Sequence, residues 1–188
     1  MENTMRKIIN STYVTIDGVQ ERLQDWHFQY HDDEAVAEAT KELNASDAVL
    51  MGRATYDGFA VVWPGRSDEY SDRMNSIEKY VASTTLEKAD WSNSTILEGD
   101  LIDAVTELKQ RPGKDIISYG FGSIARALLT NGLLDEVRFW VHPILAGRAD
   151  SADLLFRDAE PSQLTLRDTR VLGSGIVILS YESTTTRP

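Results

Sequence analysis

Hydrophobic and polar positions along this chain alternate between two periods. Residues 6–16, RKIINSTYVTI, are rich in β-branched side chains and stop at the turn pair Asp17-Gly18, which predicts a first strand. Residues 19–31, VQERLQDWHFQYH, carry aromatics without a clean period and read as a loop. Asp32-Asp33 then offers an N-cap before Ala35, Val36, Ala39 and Leu43 at helical spacing. The short apolar run DAVLMG (47–52) predicts a second strand, and GRATYDGF opens a new helix on its far side. Residues 64–76 are polar and read as a loop with a short helix, followed by a strand over 79–83, KYVAS.

The same plan repeats. STILEGD predicts a strand closing at Asp100, the N-cap of a helix whose apolar face is Leu101, Ile102, Val105 and Leu108, and Arg111-Pro112-Gly113 stops it. Residues 115–119 form a strand, a Gly-x-Gly turn comes next, and the following helix turns Ile124, Ala125, Leu128 and Leu129 inward before Asn131-Gly132 ends it. Val137, Phe139 and Val141 then alternate with Arg138, Trp140 and His142. LTLRDTRV and GIVILSYE flank Leu172-Gly173-Ser174-Gly175 as a β-hairpin. Strands alternating with helices before a terminal hairpin predict an α/β protein, its sheet mainly parallel with antiparallel strands at one edge.

Composition narrows the class. The chain of 188 residues reads as one domain, 1–188, with flexible ends at 1–5 and 184–188. A hydrophobic fraction of 41% suits a globular fold, and no apolar run approaches the length of a membrane span. The first residues lack an apolar stretch with a cleavage pattern and there is no cysteine, so a cytoplasmic address is expected without disulfide or thiolate chemistry. Nineteen basic against thirty acidic residues give a formal charge of -11, which argues against nucleic acid as a partner. An anionic small molecule would need aimed arginines, backbone N–H groups and helix N-termini.

Three strand ends carry such groups: Gly52-Arg53-Ala54-Thr55, Ser83-Thr84-Thr85 and Gly120-Phe121-Gly122-Ser123. Glycine lets a backbone approach a phosphate, arginine adds a bidentate cation, and hydroxyls add short hydrogen bonds. Taken singly, each is also an ordinary turn, and Arg53 an ordinary surface cation. Together they describe a site for a phosphorylated cofactor. The Gly-x-Gly lacks the third glycine and the acidic residue of the dinucleotide fingerprint, so a standard Rossmann reading fails.

These residues resemble the dihydrofolate reductase-like family, and within it the group similar to the C-terminal reductase domain of riboflavin biosynthesis proteins. The likeness runs from about Arg6 to Tyr181, through TYVTIDG (12–18), VLMGRATYDGF (49–59), KYVASTTLEKADWSNS (79–94), YGFGSIARALL (119–129), LLDEVRFWVHPILAG (133–147) and Leu155-Phe156. The resemblance implies a three-layer fold with a mixed eight-stranded sheet, NADPH as hydride donor, and a homodimer. It implies that Gly52, Arg53 and Thr55 hold the cofactor's phosphates, and that Ala82, Ser83 and Thr84 line the adenosine end. Gly120, Phe121, Gly122, Ser123 and Ile124 would pass the backbone under the pyrophosphate and nicotinamide ribose. Tyr13, Asp17, Val19 and Trp26 would border the nicotinamide and the substrate pocket.

Departures from the family are equally informative. Folate-reducing members carry a carboxylate on the first helix; here the position falls at His31, with Asp32 next, and Asp32 reads first as a helix cap. Arg66 is a poor counterpart of the family's substrate arginine, because a long polar segment separates it from the next strand, and Gly120-Phe121 stands in place of paired glycines. His27, His31 and His142 show no metal-ligand spacing, so no metal is expected. Trp26, Phe28 and Tyr30 are open to two readings, an aromatic wall for a planar ring or a cover over the core. The leading expectation is an NADPH-dependent reductase acting on a C=N or C=O bond of a pterin-like or riboflavin-precursor-like small molecule, akin to dihydrofolate reductase or 5-amino-6-(5-phosphoribosylamino)uracil reductase. The alternatives are a nucleotide-binding module of the same fold without turnover, and an assembly piece pairing through Trp140 and the hairpin.

Overall fold

The computed structural model describes residues 5–147, 150, 153–155 and 161–184, so most of the expected flexible ends, and Phe156, lie outside it. Its strands are β1 Ile8–Thr15, β2 Ser46–Gly52, β3 Glu78–Ala82, β4 Ser94–Ile96, β5 Asp115–Tyr119, β6 Glu136–His142, β7 Leu164–Val171 and β8 Val177–Ser183. The helices are α1 Asp33–Ala45, α2 Arg53–Val62, α3 Glu69–Ser76, α4 Leu101–Gln110 and α5 Ser123–Thr130. These eight strands join one sheet in the order β4-β3-β2-β5-β1-β6-β8-β7. Their pairing is parallel from β4 through β6 and antiparallel between β6, β8 and β7. The α/β class, the mainly parallel sheet and the terminal hairpin are thus as the hydrophobic pattern predicts.

Alternate residues of the inner strands point to opposite faces, and each face has its own helices. Ile8, Val14, Leu50 and Ile116 pack with Leu108 of α4 and Leu128 of α5. Val49, Met51 and Ile117 pack instead with Leu43 of α1, Tyr56 of α2 and Met74 of α3. The result is three layers, α1 to α3 on one face and α4 and α5 on the other.

Several local readings are corrected. The first strand starts at Ile8 because Arg6 is spent outside it, pairing with Asp47 and donating from Nε to the Lys114 carbonyl at 2.6 Å. Residues 19–31 contain two short 3-10 turns, Leu23–Asp25 and Phe28–Tyr30. Trp140 is 1% exposed, opposite Tyr13 on one side and Ile178 on the other, so it is not available to pair between subunits.

Lys79 is buried, and among the described residues its charge meets carbonyls and a ring where a carboxylate would be usual. Its Nζ donates to the carbonyls of Asn75 (3.1 Å), Ile77 (2.8 Å) and Ser92 (3.0 Å) and lies 4.4 Å from the Trp91 ring centre. The ammonium thereby satisfies carbonyls where α3 ends and ties them to the segment before β4. Lys79→Met keeps the stem but takes a donor from three carbonyls, of which that of Asn75 keeps Ser92 Oγ at 3.3 Å, and should cost roughly 2–4 kcal/mol, read as a lower urea midpoint at unchanged slope.

Candidate active site

A parallel sheet delivers the N-termini of its crossover helices to the edge where its strands end, and a cleft of about 2050 Å³ opens there. Its floor comes from β1, β2 and β5, and its two banks from the helices above and below.

The helix termini differ in how their backbone N–H groups are satisfied. Asp32 caps α1 by accepting from Ala35 N at 2.8 Å. Asp68 caps α3 through Ser71 N at 2.9 Å, and Asp100 caps α4 through Ile102 N at 2.8 Å. Helices α2 and α5 begin directly at the ends of neighbouring strands β2 and β5, with Gly52 and Gly122 as N-caps and no side-chain cap on either. Neither has an acid in its first turn. The two termini are close: a Cβ on Gly52 would stand 3.2 Å from Cγ1 of Ile124, a tight contact that glycine avoids. Two uncapped positive helix ends side by side make an anion cradle.

The turn between β5 and α5 is held from below. Gly120 adopts φ +75, a left-handed conformation natural to glycine. Asn10, buried on β1, donates from Nδ2 to the Gly120 carbonyl at 2.9 Å and to Ser118 Oγ at 3.0 Å, while accepting at Oδ1 from Thr12 Oγ1 at 2.7 Å. Gln20 accepts from Phe121 N at 3.0 Å and donates to the Phe121 carbonyl at 3.5 Å. The Phe121 ring turns away into the core against Phe139, leaving only its backbone toward the cleft. Sequence reasoning misses both Asn10 and Gln20. A polar residue inside the strand RKIINSTYVTI is the one signal that points to the first.

The substrate-sized end is lined by aromatic and hydroxyl groups. Ser11 and Tyr119 lie opposite each other on β1 and β5, and Ser11 Oγ donates at 2.9 Å to Oε2 of buried Glu42 on α1. Burial outweighs the nearby Arg138 guanidinium and raises the Glu42 carboxyl above its usual range. Tyr70 donates to Tyr119 Oη at 3.2 Å, and burial pushes Tyr70 up to about 12. Tyr13 lies flat on His27, ring centres 4.5 Å apart.

His27 and His142 form a chain across 115 residues of sequence. His142 Nδ1 lies 2.8 Å from the Trp140 carbonyl, so that nitrogen carries the proton. Its Nε2 then accepts from Nδ1–H of His27 at 3.0 Å, leaving Nε2 of His27 as an acceptor with no hydrogen-bond donor among the described residues. Burial, then the neighbouring His142 and His31, lower His27 to about 4, so it is neutral at physiological pH.

The cleft gathers His31, Tyr13, Gly52, Arg53, Thr55, Ala82, Ser83 and Thr84, together with residues 120–124. Arg53 is engaged elsewhere: its Nε donates to both Asp57 oxygens, at 2.9 and 2.7 Å, on its own helix. Four expected residues stand outside the lining. Asp32 is spent on its cap. Asp17 accepts from Thr15 Oγ1 (2.5 Å), Ala146 N (3.0 Å) and Gly147 N (2.9 Å), which hold its carboxyl down at about 2 and tie the loop after β1 to the segment after β6. Val19 is buried in a bridge to Leu154. Trp26 turns inward, its Nε1 donating to the Glu21 carbonyl at 3.0 Å and its ring edge against His142. Of the three loop aromatics, Phe28 alone lines the cleft, while Tyr30 donates to the Pro143 carbonyl at 3.2 Å.

A mixed sheet with a nucleotide-sized cleft between an open pair of helix N-termini and an aromatic end has the architecture of the dihydrofolate reductase-like fold. The chain belongs to the RibD C-terminal domain family, whose pattern matches residues 6–178. It is 31% identical over 185 residues to the uncharacterized protein YyaP of Bacillus subtilis (strain 168), covering 94% of each chain. A pyrimidine reductase-like protein from Corynebacterium diphtheriae shares the fold with a TM-score of 0.70 at 13% identity, over 96% of this chain and 92% of that one. So does the diaminohydroxyphosphoribosylaminopyrimidine deaminase/5-amino-6-(5-phosphoribosylamino)uracil reductase of Thermotoga maritima, with a TM-score of 0.64 at 12% identity. The match covers 95% of this chain but 57% of that longer one. The family is reductase-like. Among the described residues no helix is long and apolar enough to cross a membrane.

The depressed His27 sets a pH dependence. Its folded pKa of about 4 lies below the ordinary 6.5, so the unfolded chain binds the extra proton first as pH falls. The stabilisation is complete above about pH 6.5 and lost progressively toward pH 4, by up to roughly 2–3 kcal/mol. Urea midpoints measured across this range should fall, and His27→Gln should flatten the decline.

Proposed function

We propose that this protein is an NADPH-dependent reductase that passes hydride to a C=N or C=O bond of a small planar heterocycle of the pterin or riboflavin-precursor kind. The observation that carries this is the adjacent, uncapped N-termini of α2 and α5, set against the aspartate caps of α1, α3 and α4. Backbone at Gly120 and Gly122 borders open space, since a Cβ on either would meet nothing within 4 Å, and this fits a pyrophosphate passing over the turn. Gly52, Thr55 and Ser123 would hold the phosphates, and Ser83 and Thr84 would face the adenosine end. The cofactor supplies the hydride, and the protein supplies position and electrostatics. Tyr13, pinned between His27 and Trp140, gives the reacting rings a fixed wall. The proton for the reduced product would come from water admitted along the Ser11 and Tyr119 floor.

Arg53 would exchange Asp57 for a cofactor phosphate. Arg53→Ala should weaken NADPH binding about tenfold or more, the loss of a charge-assisted contact of ~1.5–3 kcal/mol. Asp57→Ala should tighten it by a few-fold, because the exposed pair competes for the same guanidinium. Calorimetric titration checks both, and unchanged affinity in Arg53→Ala removes that assignment. Thermal shifts with NADPH and NADH separately test the cofactor itself. A rise with NADPH alone supports the reading, and no rise with either, far above any plausible Kd, overturns it.

We also propose a homodimer. Edge strand β7 lies outermost in the sheet and exposes Leu166 (52%) and Val171 (67%), which favours coverage by a second copy. Light scattering should give twice the chain mass, and a monomer would overturn this.

A further inference from the structure

We infer that the substrate half of the cleft is built for an uncharged, unphosphorylated planar heterocycle carrying N–H donors, and that it rejects a phosphate ester. This inference rests on the reductase reading, which assigns the α2 and α5 half to the cofactor.

The two halves treat anions oppositely. Beside the substrate half stand the N-termini of α1 and α3, and each positive end is already occupied by its own carboxylate. Asp32 holds Ala35 N, and Asp68 holds both Ser71 N (2.9 Å) and Ser71 Oγ (2.6 Å). Both first turns carry further acids, and two of them, Asp33 and Glu69, line the cleft. A dianionic phosphate here would meet carboxylates where the cofactor half offers bare N–H groups.

Two of the three cations named for this half are paired with carboxylates, and the third is stacked on a ring. Arg22 pairs with Asp153 at 3.2 Å and Lys41 with Glu38 at 3.5 Å. Arg66 lies over the Trp63 ring, 5.3 Å from its centre, and its charge acts on Asp68. A phosphate at Arg22 or Lys41 would compete with its carboxylate, and one at Arg66 would meet the charge of Asp68.

The floor has the complementary chemistry. Ser11 gives its proton to Glu42, so its oxygen faces the cleft as an acceptor with a carboxylate behind it. Tyr119 accepts from Tyr70, which leaves its own O–H to donate into the cleft, and Tyr13 lies beside them; burial raises all three phenols above their ordinary range, so none carries a charge. A Ser11 acceptor backed by the buried Glu42, beside the neutral Tyr119 donor, suits a ring that presents N–H groups and a carbonyl oxygen rather than a full negative charge. The banks are apolar, with Phe28 on one side and Phe59 and Val62 on the other, which suits the faces of a flat ring. The Thermotoga relative, by contrast, is named for a phosphoribosyl substrate.

The test uses the full chain saturated with NADPH and two matched probe pairs: 5-amino-6-ribitylaminouracil with its 5′-phosphate, and riboflavin with its 5′-phosphate. Equilibrium dialysis should show the unphosphorylated member of at least one pair binding about tenfold tighter or more, the cost of bringing a phosphate up to the carboxylates at the N-termini of α1 and α3. Asp68→Asn with Glu69→Gln, which keeps an amide able to cap α3, should narrow that ratio by several-fold. Equal or tighter binding of the phosphate esters overturns the inference, as does failure of both unphosphorylated probes to bind the NADPH-loaded protein. Failure of NADPH itself to bind, measured first and alone, instead removes the reductase reading beneath it.

Discussion

Parallel pairing constrains everything else in this molecule. Each parallel pair needs a crossover, and each crossover helix brings a positive N-terminus to one edge of the sheet. The protein resolves that concentration of unpaired N–H groups in two ways. Aspartates at 32, 68 and 100 close three termini from within the chain. Glycines at 52 and 122 leave two open where β2 and β5 run side by side. A glycine at the N-cap gives up only about a few tenths of a kcal/mol relative to an aspartate, so the open pair is held at small cost in stability. The Asn10 and Gln20 hydrogen bonds that fix the Gly120 turn from beneath keep the open geometry from relaxing.

Much of this frame is legible in the sequence, because strand-end chemistry is local. An apolar run that meets Gly52-Arg53 or Gly120-Phe121-Gly122 at once declares both the strand and the helix start beyond it. The caps Asp32 and Asp100 sit immediately before periodic apolar positions and can be read for the same reason. Boundaries blur where tertiary contacts decide them: Arg6 looks strand-like yet is drawn away to Asp47. Trp26 and Tyr30 follow no period because they pack on the distant His142 instead of along one helix face.

The substrate end is less legible, since its parts come together only through the sheet. His27 and His142 are 115 residues apart and meet because β6 lies against β1 and the loop after β1 folds back over that pair. Glu42 occupies a charged position near the end of an amphipathic helix, where a sequence reading puts it in solvent; it is buried because α1 lies across Ser11 and Arg138. An aromatic in a loop suggests a pocket wall, and Trp26 invites that reading. Its N–H bond to Glu21 and its contact with His142 make it a support behind the wall instead. Asp17 repeats the pattern, a strand-end carboxylate spent on the backbone of residues 146 and 147.

Polar groups are therefore sorted by whether the chain itself satisfies them. Asp17, Asp32, Lys79 and Asn10 have every strong interaction they need from the protein, and they hold it together. The first-turn N–H groups of α2 and α5 have no side-chain cap among the described residues, and a ligand that satisfies them would complete hydrogen bonding that folding leaves open. Ser11 and Tyr119 stand between these cases, each engaged on its protein side while the other side faces the cleft. Half-satisfied donors and acceptors with fixed orientation discriminate strongly, because a ligand that fails to match them leaves buried polar groups unpaired. Open N–H groups at one end of the cleft and oriented neutral hydroxyls at the other thus follow from a single choice made helix by helix and side chain by side chain.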